Sequence, residues 1–88
     1  MNKYSISKHI GQMCQQYRIK NNLTQNQVAE LTGLEPRHIS QIERGLSKGS
    51  IDTLIKLCNA YQITPDIILY DLLDEKLKVQ YMMKNLKN

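Results

Sequence analysis

Apolar residues recur at helical spacing along most of the chain. Ile6, Ile10, Met13, Cys14 and Tyr17 form one set, Leu54, Leu57, Cys58 and Tyr61 a second, and Ile68, Leu69, Leu72 and Leu73 a third. Steps of three and four residues place such sets on one side of an α-helix. No stretch alternates apolar and polar residues well enough for a strand. The pattern predicts an all-α fold with helices near 7–21, 25–32, 36–44, 51–61 and 65–73, joined by short connections into a compact five-helix domain.

The boundaries follow from end chemistry. Thr24 with Gln27 three residues on is a capping box, and Leu23 and Val28 occupy the hydrophobic-staple positions around it. The staple spacing repeats at Leu34 with Ile39 and at Ile63 with Ile68. In both repeats a proline, Pro36 or Pro65, stands at the first helical position, where no amide donor is needed. Ser50 and Thr64 are further cap candidates. Asn21 and Asn22, then Gly33, then Gly45 are the expected stops, each able to take a left-handed conformation cheaply.

Residues 1–73 thus read as one domain, with a motif at 24–45, and residues 74–88 as an extension. The extension, DEKLKVQYMMKNLKN, continues helical spacing weakly through Leu73, Leu77 and Tyr81. Three readings stay open for it: a longer last helix, a frayed end, or a surface packed on a second subunit.

Size narrows the function. Eighty-eight residues support one modest core and leave no room for an elaborate catalytic cleft. No apolar run approaches the roughly 20 residues of a membrane span, and the first residues lack the apolar stretch and cleavage site of an export signal. A cytoplasmic protein is expected. Cys14 and Cys58 have no second Cys or His at zinc-ligand spacing and read as reduced core residues. His9 and His38 lie in different elements, so no metal site or acid–base pair is expected, and no cofactor. The five tyrosines, Tyr4, Tyr17, Tyr61, Tyr70 and Tyr81, read as core or interface residues. Without a phosphate loop, a nucleophile elbow or paired carboxylates, no enzyme activity is expected.

Charge is uneven. Residues 1–50 carry seven Lys and Arg against three Glu, whereas residues 51–88 carry five basic and five acidic side chains. An anionic partner is indicated for the first half alone.

Between Leu23 and Gly45 two short helices flank the turn at Gly33. With Val28, Ala29, Leu31, Ile39 and Ile42 inward, the second helix turns Pro36, Arg37, His38, Ser40, Gln41 and Arg44 outward. Arg donates twice to guanine, and Gln bonds the N6 and N7 of adenine. Arg37 and Gln41 stand one turn apart on the same face, near the end of the helix that enters a major groove. The plainer reading of these two is a solvated helix face.

The segments HIGQMCQQYR, LTQNQVAELTGL, ISQIERG and SIDTLIKLCNAYQITPDIIL together resemble the helix-turn-helix regulators of the phage lambda repressor and Cro family, also called the xenobiotic-response-element type, over about residues 6–73. The resemblance implies base reading by Arg37 and Gln41, with His38 and Ser40 as secondary candidates. It implies phosphate contacts from Gln25, from amides near Thr24, and from Arg44 and Lys48. Arg18 and Glu43 match the family's structural ion pair. Two positions depart from the family. Glu35 stands where Ser or Thr often caps the recognition helix, a poorer cap and an acid close to phosphates, able instead to accept from cytosine. Pro36 replaces a residue that donates to a base in some relatives.

The expectation is therefore a bacterial or phage transcriptional regulator, a repressor binding a double-stranded DNA operator as a homodimer. The dimer surface is expected around Leu69, Tyr70, Leu73, Leu77 and Tyr81. The alternative is an antitoxin-like subunit whose chief partner is another protein docked on the tail; neither reading involves a membrane.

Overall fold

In the computed structural model the structure describes residues 3–86, with side chains from Ile6 onward. All of the elements among them are helical. They are α1 (Lys3–Lys20), α2 (Gln25–Thr32), α3 (Pro36–Glu43), α4 (Ile51–Tyr61), α5 (Pro65–Leu69) followed by a 3-10 turn (Tyr70–Leu72), and α6 (Glu75–Leu86).

The ends are set by the expected chemistry in most places. Thr24 Oγ1 accepts from the amide of Gln27 at 3.1 Å while Gln27 Oε1 accepts from the amide of Thr24 at 2.8 Å, closing the capping box on α2. Ser50 caps α4 by accepting from the amide of Thr53 at 3.1 Å. Thr64 stands at the cap position of α5, but its side chain makes no capping bond. In each staple the inner residue, Val28, Ile39 or Ile68, is fully buried, and its partner, Leu23, Leu34 or Ile63, is half-buried against the same core. Gly33 closes α2 at φ 75°, a conformation that costs glycine little and any residue with a Cβ more.

One core unites the helices. Ile10 and Cys14 of α1, Val28 and Ala29 of α2, Ile39 and Ile42 of α3, Leu54, Leu57, Cys58 and Tyr61 of α4 and Ile68 of α5 are all buried together. Helix α1 lies so close to the end of α3 that Gly11 is required. A Cβ there would overlap the carbonyl oxygen of Ile42. The phenol oxygen of Tyr61 is buried with no hydrogen-bond partner among the described residues, and burial pushes its ionisation above the ordinary range.

Three expectations need correction. Helix α1 begins at Lys3, well before residue 7, and ends at Lys20, with Asn22 taking the left-handed turn at φ 58°. Leu31, expected inward, is 63% exposed. Three residues carry it about 300° around the helix from Val28, on the side away from Ala29, so a narrow buried face excludes it. The last core helix does not run to residue 73. It tightens into the 3-10 turn after Leu69, and Leu73 is extended. Residues 75–86 then form a separate helix, opened by Asp74 Oδ1, which accepts from the amide of Leu77 at 3.0 Å. Tyr4's side chain and residues 87–88 fall outside the described residues.

Helix α6 touches the body through few groups. Tyr81 donates its hydroxyl to Asp66 Oδ2 at 2.6 Å, and the rings of Tyr70 and Tyr81 meet tilted by 51° with centroids 5.4 Å apart. The Tyr70 hydroxyl reaches the carbonyl of Lys78 at 3.4 Å.

Candidate nucleic-acid interface

The outward surface of α3 is built from its C-terminal end backwards. Glu43, the last residue of α3, is 9% exposed yet charged, and such a group persists in a core only when partnered. Arg18 of α1 supplies two bonds, Nε to Oε2 at 2.7 Å and Nη2 to Oε1 at 3.0 Å. Gln25 of α2 adds a third, Nε2 to Oε1 at 3.1 Å. Arg18 also donates from Nη1 to the carbonyl of Leu23 at 2.9 Å, pinning the connection between α1 and α2. Two helices therefore converge on a carboxylate of the third, with the α1–α2 connection tied in through Arg18, and fix the end of α3.

With that end fixed and Ile39 and Ile42 buried, the opposite side of α3 faces out. Arg37 is exposed, and His38, Ser40 and Gln41 are half-buried. Arg37, His38 and Gln41 line one shallow hollow of about 500 Å³ together with Gly33, Leu34 and Glu35. Ser40 is not part of its wall. Among the described residues the ion pairs are Arg18 with Glu43 and Lys78 with Glu75, so Arg37, Arg44 and Lys48 carry no carboxylate partner of the protein's own. Arg44 and Lys48 are exposed just beyond α3. Helix α6 contributes nothing to the lining of this hollow, and its bonds run to Asp66 and Tyr70.

At the start of α2, where phosphate contacts are expected, the helix leaves amide donors free. The capping box engages the amides of Thr24 and Gln27. The amide donors left without an intrahelical partner at this helix start are those of Gln25 and Asn26. Asn26 was not singled out from the sequence, although its place as the second residue after a capping Thr is the signal for it. Gln25 braces the end of α3 from the same turn.

The expected dimer residues divide. Tyr70 and Tyr81 face each other within the chain, Leu69 is half-buried, and Leu73 and Leu77 are 37% and 46% exposed. Val79, Met82, Met83 and Leu86, at helical spacing on α6, are also exposed. Among the described residues no group of His, Cys, Asp and Glu is placed to hold a metal ion, and no helix is long and apolar enough to cross a membrane.

A helix-turn-helix family model matches residues 15–68, which contain α2, α3 and the junction at Glu43. The chain belongs to the helix-turn-helix family of the lambda repressor and Cro type. That family comprises DNA-binding transcription regulators. Solved helix-turn-helix structures resemble it. The restriction-modification controller protein C.AhdI from Aeromonas hydrophila is 29% identical, with a TM-score of 0.71, over 74% of this chain and 98% of its own. SinR, in a complex of SinR protein with SinI protein, is similar at 25% identity and a TM-score of 0.65, over 90% of this chain and 79% of the matched one. The clp gene regulator ClgR from Corynebacterium glutamicum, at 21% identity and a TM-score of 0.72 over 93% and 86% of the two chains, shares the fold. No curated protein sequence matches the chain.

Proposed function

We propose that this helix-turn-helix protein is a sequence-specific transcriptional regulator, a repressor that inserts α3 into the major groove of an operator. The observation that carries the reading is the shared hollow of Arg37, His38 and Gln41 on a helix whose far end is held by Arg18 and Gln25. Base edges are discriminated by groups that arrive already oriented, and this junction supplies the orientation. Arg37 and Gln41 read bases, with His38 and Ser40 beside them. Arg44, Lys48, Gln25 and the amides at the start of α2 hold phosphates and set register.

A single domain of this size covers limited DNA, so the regulator acts as a homodimer with its two recognition helices about 34 Å apart. Residues 1–73 form the DNA-binding domain, and residues 74–88 contribute to pairing, around Leu69, Tyr70, Leu73, Leu77 and Tyr81. Selection of bound duplexes from a random pool at near-physiological salt tests the reading. The expected result is a two-fold symmetric motif with half-site centres about 10 base pairs apart. An enriched pool without any shared motif contradicts it.

A second reading, a subunit that also holds another protein, is favoured by the exposed Val79, Met82, Met83 and Leu86 of α6 and by the similarity to SinR as found in complex with SinI. A partner that copurifies with the full chain and is lost on deleting residues 74–88 supports it.

A further inference from the structure

The hollow that holds Arg37 and Gln41 has a charged wall not included in that reading, the carboxylate of Glu35. Glu35 occupies the cap position of α3 with extended backbone at φ −75° and ψ 141°, yet its side chain makes no capping bond. Thr24 and Ser50, at the equivalent positions of α2 and α4, both do. Glu35 is exposed and takes no part in the ion pairs formed among the described residues. A free acid therefore stands beside the base-reading residues of a surface that is otherwise cationic. The positive end of α3 favours a carboxylate there in the unbound protein. Facing DNA, the same charge is repelled by phosphates unless it finds a donor.

The major groove limits what that donor is. An ionised carboxylate only accepts. Guanine presents N7 and O6, and thymine presents O4, all acceptors that repel it. Adenine offers the N6 amino group, but with the N7 acceptor beside it. Cytosine offers the N4 amino group with no acceptor alongside on its groove edge. Leu34, half-buried in the same wall, gives the adjacent C–H edge an apolar neighbour.

We propose that Glu35 is a specificity-determining residue that selects cytosine by accepting a hydrogen bond from its N4 amino group, at a base pair next to the one read by Arg37. Much of its effect is exclusion, since three of the four bases set an acceptor against the carboxylate. The proposal rests on α3 being the recognition helix.

The test compares the wild-type chain with Glu35→Ala and Glu35→Gln on the tightest duplex recovered from a random pool, on its single-base variants at every position, and on random duplex. The wild type is expected to prefer cytosine at one position of each half-site by about tenfold or more. In Glu35→Ala that preference falls to within about twofold, preferences elsewhere persist, and binding to random duplex is unchanged or tighter. Glu35→Gln, which both accepts and donates, is expected to tolerate adenine there. Because the side chain makes no bond in the free protein and only its attraction to the helix end is lost, both variants are expected to melt cooperatively within a few degrees of the wild-type temperature. Uniformly tighter binding of Glu35→Ala to all duplexes, with every base preference intact, overturns the proposal and leaves the carboxylate a bystander. A wild-type chain with no base preference at any position overturns the recognition-helix reading as well.

Discussion

Arg18 and Glu43 join the first helix to the end of α3 by two parallel hydrogen bonds of 2.7 and 3.0 Å. Their side chains are 14% and 3% exposed, so water does little to screen the pair. The bond to Glu43 holds the Arg18 guanidinium above its ordinary ionisation range. Glu43→Ala leaves that cation without its carboxylate and is expected to destabilise the fold by about 3–5 kcal/mol in denaturant titrations. Replacing both residues by apolar ones of similar volume is expected to cost much less. Equal losses in the single and double variants contradict the pairing argument.

Gly33, between α2 and α3, and Gly11, within α1, call for different substitution costs. At Gly33 an added Cβ meets nothing within 4 Å, and only the positive φ is unfavourable. Gly33→Ala is expected to cost about 1 kcal/mol. At Gly11 the Cβ would run into the carbonyl oxygens of Ile42 and Glu43. Gly11→Ala must push α1 away from α3, and a cost of about 1–3 kcal/mol or more is expected, together with weaker DNA binding, because the same contact seats α3. Unfolding midpoints of the two variants, measured side by side, check the order.

Core burial also sets a pH limit. Burial pushes the Cys14 thiol up to about 12, with Cys58 and Glu43 adding to it. Burial raises Cys58 as well, aided by Asp66, and raises the Tyr61 phenol. All three hold their protons more tightly when folded. For Cys14 the contribution to stability is therefore complete below the unfolded value of 9.0 and is lost as pH climbs from there toward about 12, and Cys58 and Tyr61 act in the same direction. Thermal midpoints are expected to be flat near neutrality and to fall above about pH 9. Alkylation of both thiols is expected only at the rate of unfolding, and fast labelling of the native chain contradicts their burial.

Much of this geometry was legible in the sequence, for identifiable reasons. The capping box at Thr24, the two prolines at first helical positions and the staple pairs fixed the starts of α2, α3 and α5, since each is local chemistry within five residues. Arg18 with Glu43 was legible through the family resemblance alone, because nothing local links residues 25 apart. The close approach at Gly11 was not legible, as a glycine inside a helix does not name the backbone it will meet. Gln62 takes the left-handed turn after α4 at φ 58° although no glycine or asparagine marks the stop. The separate identity of α6 was signalled by Asp74 ahead of Glu75 and Lys76, a cap that the continuing apolar spacing concealed.

Pairing of two copies is testable apart from base reading. The bonds of α6 to the body run to Asp66 and Tyr70 at its margin, so deleting residues 74–88 is expected to leave the core folded by circular dichroism. Sedimentation is expected to show a dimer of the full chain at micromolar concentration and a monomer of the shortened one. Operator affinity is expected to drop about 100-fold or more as the second half-site ceases to be tethered. A full chain that stays monomeric even on operator DNA contradicts the homodimer.

Base reading by α3 is tested most directly by the ratio of operator to random-duplex affinity in Gln41→Ala, with Lys48→Ala as the comparison. Loss of Gln41 is expected to cost about 1–3 kcal/mol on the operator, to relax preference at one base pair and to leave random duplex nearly unaffected, whereas loss of Lys48 weakens both alike and lowers the salt slope. If Gln41→Ala weakens operator and random duplex by equal factors, the outward face of α3 does not read sequence.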